Sequence, residues 1–330
     1  SNGSKTICAG AYLFIEFSGT ITTLSASFNT SNLSSPFPKV AFKIDGGIWQ
    51  DYVVTSTINL TIPTNNTWNK HTVEMVVIST SELVNRWNSP CNTAIIFTGI
   101  TSDTSISSIP TKNKTLYGLA FGDSITEGVR TLNKTATNDT DRNDSRLAWA
   151  YPLSNILGSE LGVVGFGGTG IVSGGSGNVP RFCDNIPYLY SGQIRNFSTP
   201  QYPDFIVGNI GTNDGGASDS DVFTYSLLLI NYLLTNTPSS TKIFIYAGWL
   251  QTKFNQIKQA CLTCNNPARV TFIDTSGWWS TSDSSDSLHP YGYVNISNLS
   301  YKIAEVIRQN FTNYYIKNSS GKAVPLIYTK

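Results

Sequence analysis

The segment Phe121-Gly122-Asp123-Ser124-Ile125-Thr126-Glu127-Gly128 sets a serine directly after the apolar run Tyr117-Gly118-Leu119-Ala120-Phe121. Glycine permits a sharp turn there, and a helix that follows can offer backbone N–H groups to developing negative charge. Alone, Gly-Asp-Ser describes an ordinary helix N-cap. A hydroxyl becomes a useful nucleophile only when a base takes its proton, and imidazole titrates in the range for that work. The sequence holds two histidines, His71 and His289. His71, within Asn69-Lys70-His71-Thr72, reads as a solvated strand-edge residue. His289 lies in Asp286-Ser287-Leu288-His289-Pro290, so one loop can present both the imidazole and the carboxylate that orients it.

Acyl transfer also requires donors where an oxyanion forms. The run Gly165-Phe166-Gly167-Gly168-Thr169-Gly170 follows a second apolar stretch, and a glycine there can aim a bare N–H at the serine. It is not a Walker A sequence and lacks the spacing and acid of a dinucleotide fingerprint. Gly211-Thr212-Asn213-Asp214 follows a third stretch and brings a side-chain amide. Trp249, Trp278 and Trp279 flank the same edge, where their rings stack on sugars or fill the core beneath the loop.

The elements that must position these residues are legible. From Leu116 onward, apolar runs at 117–121, 162–166, 204–210, 242–246 and 270–274 alternate with helical spacing at 219–234 and 294–309. That pattern predicts a parallel sheet with helices on both faces, and ligands bind such sheets at the carboxyl ends of the strands. Residues up to about Thr111 read as short strands separated by turns such as Ser18-Gly19 and Asp45-Gly46-Gly47, hence a β-sandwich or jelly roll. Thr101–Lys114 reads as a linker, which divides the chain into an N-terminal β domain, 1–111, and an α/β domain, 112–330. The polar insert Asn133–Arg146 reads as a lid or rim over the cleft, or else as a disordered loop.

Ser124, Gly168, Asn213 and His289, in that order and each after its own strand, resemble the four blocks of SGNH (GDSL-like) hydrolases over roughly residues 116–310. The resemblance implies a three-layer α/β/α fold and a Ser124–His289–Asp286 triad. It also implies an oxyanion hole built from the Ser124 and Gly168 N–H groups and the Asn213 side chain. Phe17-Ser18-Gly19-Thr20 and Phe42-Lys43-Ile44-Asp45-Gly46-Gly47 ahead of Phe121-Gly122-Asp123-Ser124 are similar to carbohydrate esterase family 2. That family places a β-sandwich before an SGNH domain and removes acetyl groups from plant-type polysaccharides. It often lacks the triad aspartate, so Asp286 is a departure from it.

The expected activity is therefore removal of small acyl groups, acetyl first, from a carbohydrate partner by an acyl-enzyme route that needs no cofactor and no metal. The rival expectations are a lipid esterase or phospholipase, and a glycoprotein with a glycan-binding or assembly role. A net charge of +1 and 13% charged residues exclude an electrostatic nucleic-acid binder. No apolar run approaches a membrane span. Fourteen Asn-x-Ser/Thr sequons, at Asn2, Asn29, Asn32, Asn59, Asn65, Asn113, Asn133, Asn138, Asn143, Asn196, Asn295, Asn298, Asn310 and Asn318, point to a secreted or cell-surface glycoprotein. Of five cysteines, Cys8 and Cys91 are expected to bond across the β domain, and Cys261 with Cys264 to close a small disulfide loop. Cys183 is left over or pairs with one of that couple.

Overall fold

The computed structural model describes residues 3–63, 69–111 and 116–311, and two short paired strands near the C-terminus. Sequons at Asn2, Asn65, Asn113 and Asn318 lie outside the described residues. Before residue 111 the described strands are β1 (Ser4–Thr6), β2 (Tyr12–Ser18), β3 (Leu24–Asn29), β4 (Lys39–Ile44), β5 (Gln50–Val53), β6 (Thr57–Leu60), β7 (Lys70–Ser79), β8 (Ile95–Ser102) and β9 (Ser107–Ile109). They form two antiparallel sheets, ordered β1-β8-β3-β6 and β5-β4-β7-β2-β9. Alternation along each strand sends one face inward. Leu24, Ala26 and Phe28 of β3 meet Val73, Met75 and Val77 of β7 in one apolar cluster shared by both sheets.

Of the stretch expected to be a linker, 101–114, the described part ends at 111 and carries strand structure. It holds the end of β8 and all of β9, which pairs antiparallel with β2 through Glu16 and Ile109. Its serine- and threonine-rich composition suits an edge strand as well as a loop, so composition alone could not separate them.

The second part carries a parallel sheet of β10 (Tyr117–Gly122), β11 (Glu160–Gly165), β14 (Phe205–Asn209), β15 (Lys242–Tyr246) and β16 (Val270–Phe272), ordered β11-β10-β14-β15-β16. A hairpin of β12 (Tyr188–Tyr190) and β13 (Gln193–Ile194) sits between β11 and β14 in sequence, and β17 (Tyr315–Lys317) pairs with β18 (Ala323–Pro325). The helices are α1 (Ser124–Glu127), α2 (Ala150–Leu157), α3 (Phe182–Asn185), α4 (Asp219–Asn236), α5 (Phe254–Thr263), α6 (Gly292–Val294) and α7 (Ser300–Gln309). The sheet strands read as continuous apolar runs because both faces are covered. Phe205 and Val207 pack with α2 and α7, whereas Ile206 packs with α4 and α5. Helix α4 starts where expected because Ser218 caps it, its hydroxyl accepting from the Asp221 N–H at 3.1 Å. The expected helix over 294–309 is present without a gap, α6 passing through a π turn at Asn295–Leu299 into α7.

The two parts share a core. Ile7, Cys8, Trp87, Cys91 and Ala94 join Val164, Phe166 and Phe182 in one cluster, and the Trp87 ring stands edge-on to Phe166 at 5.9 Å. This placement corrects the expected disulfides. Cys8 and Cys91 line the junction with the α/β part, and every cysteine is a free thiol. Cys91 donates to the Trp87 carbonyl, Cys183 to that of Tyr225 at 3.1 Å and Cys264 to that of Cys261 at 3.2 Å.

The second half of the insert, 139–146, is a clasp on the β sheets, whereas 133–138 is a largely exposed segment without regular structure. Ser81 Oγ donates to Asp139, Ser79 Oγ to the Thr140 carbonyl and Ser145 Oγ to that of Val77. Lys39 pairs with Asp141, and Arg146 grips both oxygens of Asp51 at 2.8 and 2.9 Å. Such polar anchors across a chain junction fix register. The clasp also corrects two sequons. Asn143 and Asn295 are buried at 3% and 0% exposure, which leaves no room for a glycan in this fold. Asn143 Oδ1 accepts from the Arg130 N–H, and Asn295 Nδ2 donates to the Leu147 carbonyl.

Candidate active site

Ser124 is the first residue of α1, directly beyond the carboxyl end of β10. Asp123 caps this one-turn helix, its Oδ1 accepting from the Ile125 N–H at 3.0 Å and from Asn209 Nδ2 at 3.1 Å. Burial drives the Asp123 carboxyl up to about 6, against the hydrogen bond from the Ile125 N–H that pulls it down. Gly128 ends the helix in the left-handed region at φ 91°, donating its N–H to the Ser124 carbonyl at 3.1 Å. The turn lies hard against β11. A Cβ on Gly165 would stand 2.6 Å from the Glu127 nitrogen, so glycine is required there.

His289 arrives on a loop closed by a bridge between Ser284 and Pro290. Asp286 Oδ1 organises that loop by accepting from the N–H of Leu288 at 3.1 Å, that of His289 at 2.9 Å and the Ser284 hydroxyl at 2.9 Å. Asp286 Oδ2 faces His289 Nδ1 at 2.7 Å, and His289 Nε2 faces Ser124 Oγ at 2.8 Å. A carboxylate only accepts, so Nδ1 carries the proton and Nε2 presents its lone pair to the serine hydroxyl. Partial burial alone would raise the Asp286 pKa. The hydrogen bonds from the His289 ring and backbone and from Ser284, joined by the attraction of the ring once it is an imidazolium, outweigh it and hold the carboxyl well below the usual range. Ser124 and His289 are recessed, at 6% and 8% exposure.

The glycine loop after β11 is gripped from two sides. Glu127 Oε2 accepts from the Gly167 N–H at 2.7 Å, while Asp214 accepts from the N–H groups of Ile171 at 2.7 Å and Val172 at 2.9 Å. Gly170 donates to the Ser173 carbonyl and Thr169 to that of Phe166. Gly168, at φ 74°, gives its N–H to no acceptor among the described residues, and the same holds for the Ser124 N–H. Of the glycines that could have aimed an N–H at the serine, Gly168 is thus the one whose donor is not engaged elsewhere. Asn213 Nδ2 uses one hydrogen on the Thr169 carbonyl at 3.0 Å and keeps a second.

Several residues around the site were not read from sequence. Glu127 forms a buried ion pair with Arg86 at 2.6 Å and accepts from the Thr80 hydroxyl, which ties the glycine loop to the β sheets. Glu82 extends its carboxylate over Gly167, where any Cβ would overlap it; burial and the neighbouring Glu127 raise its pKa. Glu127 lies within the serine motif and Asp214 directly after Asn213, so both were open to a reading as buried acids. Arg86 and Glu82 lie about forty residues away in a segment with no motif, and only the fold brings them in.

Two further expectations are corrected. His71 is buried at 1% exposure, its Nδ1 on Asp45 Oδ2 at 2.9 Å, because the turn after β4 folds Asp45 back onto β7. Trp249 is core, 4% exposed and stacked on Tyr246 at 4.8 Å, and so presents no face to a sugar. Trp278 and Trp279 are half-buried against the same core, with Lys302 Nζ 5.3 Å over the Trp278 ring.

No protein-family model and no curated protein sequence matches the chain. Solved structures do. A family two carbohydrate esterase from Clostridium thermocellum in complex with cellohexaose superposes with a TM-score of 0.75 at 19% identity, covering 94% of this chain and 95% of that one. A carbohydrate esterase family 2 enzyme from Corynascus thermopiles gives 0.73 at 21%, covering 93% and 95%. An acetyl xylan esterase, Est2A, from Butyrivibrio proteoclasticus gives 0.70 at 14%, covering 94% and 96%. The fold of this chain is that of the SGNH hydrolases, in the layout of the family two carbohydrate esterases.

Proposed function

We propose that this protein is a secreted serine esterase that removes small acyl groups, acetyl above all, from carbohydrate. The observation that carries the reading is the unbroken chain of hydrogen bonds from Asp286 through His289 to Ser124. Ser124 Oγ attacks the ester carbonyl as His289 Nε2 takes its proton, and Asp286 stabilises the imidazolium that forms. The Ser124 and Gly168 N–H groups and the second hydrogen of Asn213 Nδ2 meet the oxyanion. His289 then gives the proton to the sugar's ester oxygen as its bond to the acyl carbon breaks, and the sugar leaves as the free hydroxyl. Water, activated by the same base, releases acetate from acyl-Ser124.

The likeness to carbohydrate esterases supports a sugar as the acyl acceptor. Sequons that the fold leaves at the surface, among them Asn29, Asn32, Asn59, Asn196 and Asn310, support secretion with N-glycans attached. Acetate release from acetylated xylan and from 4-nitrophenyl acetate tests the activity. Wild type is expected to turn over both, and Ser124→Ala to lose at least a thousandfold while melting at the same temperature. Equal rates for the two proteins would overturn the reading.

A further inference from the structure

Behind the triad carboxylate lies a cavity of about 310 Å³ lined by Arg130, Asn133, Lys134, Thr135, Arg142 and Ser285. Three of the six are cations and none is an acid. Ser285 in its wall is the residue before Asp286, and Arg130 Nε stands 3.3 Å from Asp286 Oδ2. The other two Arg130 nitrogens donate to no acceptor among the described residues. Arg142 Nε is buried and has no hydrogen-bond partner there either. Asp141, the acid beside Arg142, is paired with Lys39.

The cavity is also held in shape. Arg130 sits at φ 56°, a left-handed backbone that a side chain rarely adopts, and its N–H is fixed by buried Asn143 at 2.9 Å. Like charges gathered around one partly enclosed space repel, and a buried guanidinium nitrogen without an acceptor is unfavourable. An anion would relieve both, and guanidinium groups suit the planar or tetrahedral oxygens of carboxylate and sulfate.

We propose that this cavity binds an anionic group, carboxylate or sulfate, carried by the acyl acceptor, so that acetylated acidic polysaccharide is the favoured substrate. The inference deepens the esterase reading and rests on it for the word substrate. The anion site itself does not depend on turnover.

The test measures kcat/KM on full-length protein stripped of N-glycans, because Asn133 lies in the cavity wall. Three acetylated polymers are compared: polygalacturonate, a sulfated galactan and a neutral xylan. Wild type is expected to prefer one acidic polymer over xylan, and which one distinguishes carboxylate from sulfate. The preference should fall about tenfold in both Lys134→Gln and Arg142→Gln, the size of one hydrogen bond to a charged group. It should also shrink for wild type in high salt. A preference equal in wild type and variants, or none in wild type, overturns the proposal. If wild type hydrolyses no ester, the esterase reading has failed, and calorimetry with galacturonate and sulfated galactose oligomers then decides the anion site. Binding lost in both variants supports it, and no heat of binding in wild type overturns it.

Discussion

His289 Nδ1 can serve Asp286 only as a donor, and that single constraint leaves the lone pair of Nε2 facing Ser124. The arrangement of the candidate site was legible at this scale because each member stands in a short motif: Ser124 after Gly122-Asp123, His289 three residues after Asp286, and Asn213 after Gly211-Thr212. What was not legible is which donors stay open. The Gly168 N–H is open because Glu127 takes that of Gly167, and no spacing rule shows this. One hydrogen of Asn213 Nδ2 holds the Thr169 carbonyl, and the proposed mechanism assigns the other to the oxyanion. Asn213→Ala is expected to lower kcat about a hundred- to a thousandfold with only a small fall in melting temperature. A protein that melts earlier yet keeps its kcat per folded molecule would assign Asn213 to the loop alone.

The site depends on a helix of four residues set at the mouth of a parallel sheet. So short an element cannot hold itself in place, and its position comes from Gly128 behind it, Asp123 before it and β11 beside it. Gly165→Ala places a methyl group against the Glu127 backbone and must push α1 away from β11. Overpacking of this kind costs about 1–3 kcal/mol. Since the proposed mechanism takes both its nucleophile and an oxyanion donor from α1, kcat should fall along with the melting temperature, and an active enzyme of unchanged stability would contradict this account of α1. The sheet strands were readable as apolar runs, and α4 by its helical spacing of apolar residues. Helices α2 and α5 were not, because α2 is eight residues long with Pro152 inside its first turn, and α5 follows Lys253 at φ 58° with no capping side chain. The π turn at Asn295–Leu299 has no sequence signature and was merged into one helix.

Across the whole molecule, the N-terminal sheets and the α/β part are joined by a shared apolar core and a buried ion pair. Trp87, Cys8 and Cys91 complete the packing of Phe166, and Arg86 meets Glu127 inside the same junction. The composition change near residue 111 is real, but a division drawn there runs through this core. Pairing Cys8 with Cys91 assumed a self-contained β unit, and packing against Phe166 and Phe182 removed that premise. The junction supplies Glu82 and Arg86 to the region around Gly167, so both parts of the chain build the surroundings of the serine.

The central claim is that Ser124 is a nucleophile activated by His289. Treating the full chain with diethyl 4-nitrophenyl phosphate, which phosphorylates an activated serine far faster than an ordinary one, tests it most directly, with intact-mass and peptide mapping as the readout. The account predicts one adduct per chain, on Ser124, with esterase activity lost in proportion to labelling and no adduct on His289→Ala. An adduct on any other serine, or undiminished hydrolysis by a chain fully labelled at Ser124, would contradict it.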